Sequence, residues 1–241
     1  PLYQSGATGV HSPDLLYAYA RSLLGLGETE PAIPLLLEVI REQPEKPQPA
    51  LELARAFLRS PAQSGRVQQV IPFLQRILGQ SPAGEESGYH GGLDSSPALR
   101  AEARALLAEA YAAAGEWSQA MEAYRRALDD PYNRQTETQM RLSAGLGMVA
   151  LKLDQPEIAI AALQEAIQAQ PLNAELQRSL SEAYLASGLA EDAFQAACAA
   201  WDLQPEDLNT VNWFICQAQR LLEKPGVKKS LLVERSIRAL E

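Results

Sequence analysis

Apolar and small residues recur every three to four positions along most of the chain, the period of an amphipathic helix. Leu106–Leu128 reads LLAEAYAAAGEWSQAMEAYRRAL, two such runs with Gly115-Glu116 between them. This spacing predicts two helices joined by a tight turn, because glycine ends a helix in a conformation that costs other residues more. The arrangement recurs. QAMEAYRRA around Ala120, IAIAALQEA around Ala159 and DAFQAACAA around Ala193 are equivalent contexts. The steps from Ala159 to Ala193, from Pro171 to Pro205 and from Gly147 to Ser181 are each 34 residues. The step from Ala120 to Ala159 is 39, which places an insertion around DDPYNRQTET.

A period of 34 with two helices per unit marks the tetratricopeptide repeat, and the chain resembles that family at specific residues. One unit carries Leu107-Ala108, Tyr111, Gly115, Trp117, Ala120 and Tyr124. The next carries Leu146-Gly147, Ala150, Ala159, Leu163 and Pro171, and the one after it Leu180-Ser181, Tyr184, Gly188, Ala193, Ala197 and Pro205. Upstream, Tyr19-Ala20, Leu23, Gly27, Ala32, Leu36 and Pro44 form a first unit. Leu53-Ala54, Phe57, Gly65, Val70, Leu74 and Pro82 form a second, with about four extra residues in its turn. The resemblance implies an all-α fold, a right-handed superhelical solenoid of stacked antiparallel helix pairs. The expected organisation is a single array over 1–241, with repeats at 13–46, 47–82, 101–134, 140–173 and 174–207 and a partial one at 208–241. A Gly/Ser-rich insertion at 79–96 reads as a loop. The register of VKKSLLVERSIRALE stays open between a partner helix and a terminal cap.

The pattern has physical reasons. Small residues in the first helices (Ala20, Ala54, Ala108, Gly147, Ser181) and at the start of the second (Ala120, Ala159, Ala193) let paired helices approach closely. A closing proline cannot continue a helix, so the next one starts afresh. Ser12 with Pro13 reads as the cap and first turn of the opening helix. Where the family has a bulky residue, Arg104, Ser143 and Gln177 stand instead, which predicts looser packing there.

The formal net charge of −9 argues against nucleic acid or an anionic membrane as the main partner. Ile33–Ile40, among the longest apolar runs, is interrupted by Pro34 and Glu38, far short of a membrane span. The chain begins with Pro1 without a signal-peptide pattern and stops in a helical pattern, so it reads as a piece of a longer protein. Sixteen arginines against five lysines fit a bacterial source. The expected location is cytoplasmic, with an extracytoplasmic bacterial one as the rival. Cys198 and Cys216 read as two buried free thiols, with a disulfide as the alternative.

Catalytic parts are missing from the pattern. GLGETE and GLGMVA follow no strand and are not dinucleotide fingerprints. The two histidines, His11 and His90, have no nucleophile or ligand set at motif spacing. No enzyme activity, cofactor or metal is expected.

What remains is a surface. The resemblance implies that the first helices line a concave groove suited to a peptide or partner helix. Candidate groove residues are Tyr17, Arg21, Arg55, Arg59, Glu109, Met148, Lys152, Arg178 and Glu182, with Leu51, Ala105, Ala112, Ala144 and Leu151 as apolar company. Arg21, Arg55 and Arg59 would gather at one end, which suits a partner that is acidic or ends in a free C-terminal carboxylate. Family members that clamp acidic tails do so with Lys and Asn. The matching positions here hold Tyr17, Arg21, Glu52, Arg141 and Gly145, so that clamp is not reproduced. The expected function is a scaffold or adaptor that binds protein. The alternative is the sensory or regulatory segment of a larger enzyme or transcription regulator. A homo-oligomer formed through Trp213 and Phe214 at the end of the array is a third expectation.

Overall fold

The computed structural model describes residues 12–59, 61–79, 96–134 and 136–222. Residues 80–95 of the Gly/Ser-rich insertion, both histidines and the stretch from 223 lie outside the described residues. Helices and turns make up the described chain, without strands, and it divides into two compact units, Pro1–Gly115 and Glu116–Glu241.

In the first unit, α1 (Pro13–Gly25) and α2 (Thr29–Glu42) form a tightly turned pair. Next, α3 (Gln48–Arg59) packs on α2. A 3-10 segment, Pro61–Gln69, leads into the short α4 (Ile71–Ile77), and α5 (Pro97–Ala114) packs on both α3 and α4. Ala20, Ala32 and Ala54 have no exposed surface, as a close approach of helices requires, and Leu36, Leu53 and Phe57 fill the space around them. The extra residues before α4 are a wound 3-10 segment that buries Val67 completely, rather than an enlarged turn at Gly65. Proline and capping start α5: Pro97 opens it and the Ser96 hydroxyl accepts from the Leu99 N–H at 3.3 Å. At α1 the expectation is half met. Ser12 occupies the cap position and Pro13 the first turn, but the Ser12 side chain makes no cap bond.

The second unit runs α6 (Trp117–Leu128), α7 (Thr136–Lys152), α8 (Pro156–Ala169), α9 (Ala174–Ala186), α10 (Ala190–Leu203) and α11 (Leu208–Leu222), each packed on the next. A 3-10 turn at Pro131–Asn133 takes up the inserted residues. Its Asp130 carboxylate accepts from the Tyr132 N–H at 3.0 Å, and the buried Asn133 amide donates to the Ala127 carbonyl at 2.9 Å. Close approach of α7 to α8 is made at Gly147, where an added Cβ would lie 2.6 Å from Leu163 Cγ. Between α9 and α10 the small residue does more than make room: the Ser181 hydroxyl donates to the Ala193 carbonyl at 2.8 Å.

Looser packing does not follow at Ser143. It is fully buried, and its hydroxyl donates at 2.9 Å to Glu165, whose other oxygen accepts from Gln139 at 2.6 Å. A polar bridge between α7 and α8 takes the place of a bulky side chain.

Three turns between successive helices use glycine with left-handed backbone: Gly27 (φ 81°), Gly115 (φ 79°) and Gly188 (φ 82°). The fourth, between α7 and α8, places Asp154 at the same offset before its small residue, at φ 54°. A residue with a Cβ is strained there by about 1 kcal/mol, less for Asp than for most. Asp154→Gly is therefore expected to raise stability by about 0.5 kcal/mol after the larger unfolded-state entropy of glycine is deducted. Gly188→Ala, with open space around its Cβ, is expected to lower it by about 1 kcal/mol through the backbone alone. Paired denaturant titrations measure both, and a loss for Asp154→Gly would contradict the assignment.

Candidate functional site

Two first helices carry polar side chains that touch the next first helix of the same unit: α3 touches α5, and α9 touches α11. In the first unit, Tyr17 and Arg21 of α1 lie together, the guanidinium 5.9 Å from the ring centroid. Arg55 of α3 is ion-paired with Glu52 at 3.1 Å on its own helix and with Glu102 of α5. Burial, and then the Glu52 carboxylate, push the half-buried Tyr17 hydroxyl above its ordinary pKa, against the opposing pull of Arg21 and Arg55. Arg59 is exposed at the end of α3, and Glu109 is half-buried on α5.

The three arginines thus do not form a bare cationic end. Arg55 already holds two carboxylates of this chain, one of them 47 residues away. Arg21 and Arg59 have no ion-pair partner among the described residues. Two apolar expectations are also corrected. Leu51 and Ala105 are each 2% exposed and belong to the core, because the helix packing set is wider than the sequence pattern suggests.

In the second unit Met148 of α7 is 52% exposed, and Lys152 lies one turn on, also exposed. Arg178 and Glu182 of α9 meet Trp213 of α11. The Arg178 guanidinium stacks 5.1 Å from the indole centroid, and the indole N–H donates to Glu182 at 3.3 Å. Trp213 is a member of this face that the spacing argument had assigned to self-association. Its neighbour Phe214 is fully buried, stacked on Trp201 with centroids 5.5 Å apart, so it offers nothing to a second copy. Both cysteines are free thiols, and Cys216 is exposed on α11 rather than buried.

Beside this face, the turns before α9 and α11 enclose an open cavity of about 740 Å³ that includes Asn173, Arg178, Gln204, Asp207 and Asn209. Asp207 caps α11. Its carboxylate accepts from the Thr210 hydroxyl at 2.7 Å and the Thr210 N–H at 2.9 Å. These hydrogen bonds hold its carboxyl below the usual carboxylate pKa. A lowered folded-state pKa adds stability that is present above the unfolded value, near 3.9, and lost as pH falls through the folded one. Amide protection at the start of α11 is therefore expected to be the same at pH 7 and pH 5 and to fall below about pH 4. Asp207→Asn should remove that acid step. Exchange rates at Asn209 and Thr210 measure it, and an unchanged acid step in the variant would contradict the cap's role.

No group of three or more metal-ligating side chains exists among the described residues, and no described helix is long and apolar enough to cross a membrane.

Comparison with known proteins agrees with the geometry. Two tetratricopeptide repeat family models match, one over residues 103–137 and one over 145–207. No curated protein sequence matches the chain. Among solved structures, that of MamA protein aligns with a TM-score of 0.60 at 19% identity, covering 80% of this chain and 91% of that one. YrrB, described as a TPR protein with an unusual peptide-binding site, aligns with a TM-score of 0.58 at 18% identity, covering 85% and 91%. At these identities the likeness concerns the fold. The matched stretches, 103–137 and 145–207, thus read as tetratricopeptide repeats, and the packed helices with small residues at their close approaches have the fold of such repeats.

Proposed function

We propose that the chain is a non-enzymatic protein-interaction module that holds a peptide or partner segment against its first helices, as a scaffold or adaptor. The observation that carries this reading is the contact of successive first helices outside the core: Arg55 of α3 with Glu102 of α5, and Arg178 and Glu182 of α9 with Trp213 of α11. These contacts hold Arg55, Arg178 and Glu182 in place, which lowers the entropy lost on binding. Met148 supplies an adaptable apolar contact. Tyr17 supplies a rigid aromatic one, and Glu109 a half-buried carboxylate. Arg21, Arg59 and Lys152 are the cations available to an acidic or carboxylate-terminated segment. The similarity to YrrB supports peptide binding as a use of this fold. The rival reading, a sensory or regulatory segment of a larger enzyme or transcription regulator, uses the same face toward an intramolecular partner.

Selection of peptides from a random display library on the immobilised chain tests the reading. Retention of selected peptides is expected to fall about tenfold or more on Met148→Arg, which buries a charge against an apolar side chain. Arg21→Glu with Arg59→Glu should weaken acidic peptides and spare neutral ones. Selected peptides retained equally by all variants would place binding elsewhere.

A further inference from the structure

We infer that the cavity between the turns preceding α9 and α11 is a receptor for a peptide C-terminus with neutral side chains, a site apart from the face of α7. The inference rests on the reading of the chain as a peptide-binding module and says where, and by which group, a chain end is recognised.

The first argument is size. About 740 Å³ is within the range of ligand cavities and holds a few residues of extended peptide.

The second is the state of its polar atoms. Asn173 caps α9, its carbonyl oxygen accepting from Glu175 N–H at 3.1 Å and Leu176 N–H at 3.2 Å. Its amide nitrogen donates at 3.2 Å to the carbonyl oxygen of Gln170. Asp207 is engaged by Thr210 and by the Asn209 N–H at 3.4 Å. The side-chain oxygens of Asn173 and Asp207 are therefore used inside the protein, whereas the Glu175 carboxylate is not engaged among the described residues. The Gln170 side-chain N–H groups are uncommitted among the described residues, and so are those of Asn209. The uncommitted N–H groups of Gln170 and Asn209 suit a ligand rich in acceptors, as a peptide end with its carboxylate and carbonyls is.

The third is Arg178. It lines the cavity and forms no ion pair within 4 Å among the described residues, while stacking on Trp213 fixes its plane. The indole is itself oriented by Glu182. A guanidinium held by an aromatic ring keeps its edge for bidentate binding of a carboxylate. Exposed Glu175 and the ionised Asp207 in the same lining oppose a polyanion, so one carboxylate with neutral neighbours, held on Arg178, fits better than an acidic tail or a phosphate. Leu172, 81% exposed, and Pro171 provide an apolar wall for the terminal side chains.

The test uses a pool of N-acetylated tetrapeptides built from Ala, Leu, Phe, Ser and Gln, made with free C-termini and again as C-terminal amides. Both pools are passed over the immobilised native chain and over Arg178→Gln, and retention is read by mass spectrometry. The native chain is expected to retain the free-acid pool at least about tenfold over the amides, and Arg178→Gln to abolish the preference. Circular dichroism checks the variant's fold, and the acid-to-amide comparison on the native chain stands without it. Equal retention of acid and amide, retention of neither, or a preference that survives in Arg178→Gln overturns the proposal. Met148→Arg separates this site from the groove. Peptides that lose affinity on Met148→Arg but respond neither to amidation nor to Arg178→Gln leave the groove reading standing and refute this one.

Discussion

Gly147→Ala is expected to destabilise the protein, and the same substitution made on Leu163→Ala is expected to stabilise it. The new methyl would lie 2.6 Å from Leu163 Cγ and 2.9 Å from Cδ2, distances at which something must move. Leu163 is fully buried and cannot swing out to solvent. Overpacking of this kind costs about 1–3 kcal/mol, against up to about 1 kcal/mol recovered from the better helix propensity of alanine. A net loss of about 1–2 kcal/mol follows. Leu163→Ala alone should cost about 2–5 kcal/mol. With that side chain cut back, the two closest contacts are gone and the next is the Ala159 carbonyl at 3.4 Å, an ordinary distance. The propensity gain of about 0.5–1 kcal/mol should then appear unopposed. Denaturant titration of the four proteins of the cycle measures the sign. A loss in both backgrounds would mean that Gly147 is there for a reason other than the approach of α7 to α8.

Phe214→Ala has the largest expected single effect, about 3–5 kcal/mol. The side chain is fully buried and stacked on Trp201 at an interplanar angle of 21°, and both belong to the cluster formed with Ala193, Phe194, Ala197 and Ala218. This cluster joins α11 to α10. In a repeat architecture each pair contacts mainly its neighbours, so the loss should be local. Amide protection is expected to vanish over α11 and fall over α10, while α7 and α8 keep theirs. Trp213 would leave Arg178 with α11, so any carboxylate preference of the adjoining cavity should go too. Uniform loss of protection across both units would contradict a local role.

The helix pairs were legible because their signals are local. Small residues at Ala20, Ala54, Ala159 and Ala193 and glycines at 27, 115 and 188 declare close approach and turns from a few neighbouring letters. Departures came where a rule can be met by another residue or needs a distant partner. Asp154 does a glycine's work in the turn after α7, since its short polar side chain tolerates left-handed backbone. Ser143 replaces a bulky residue by bonding Glu165, 22 residues on. The same limit governs the candidate site. Spacing placed Arg55 on a groove face, but its ion pair with Glu102 depends on how α5 lies against α3. The cavity before α9 and α11 is assembled from two turns, and neither alone contains a motif.

The central claim is that partners bind the first helices, and chemical-shift mapping with a library-selected peptide tests it most directly. The account predicts perturbations on first helices, at Tyr17 and Arg21 for a peptide bound to the first unit or at Met148, Lys152, Arg178 and Glu182 for one bound to the second, with α2, α8 and α10 unaffected away from their turns. Perturbations centred on those second helices, or no selectable peptide at all, would contradict it.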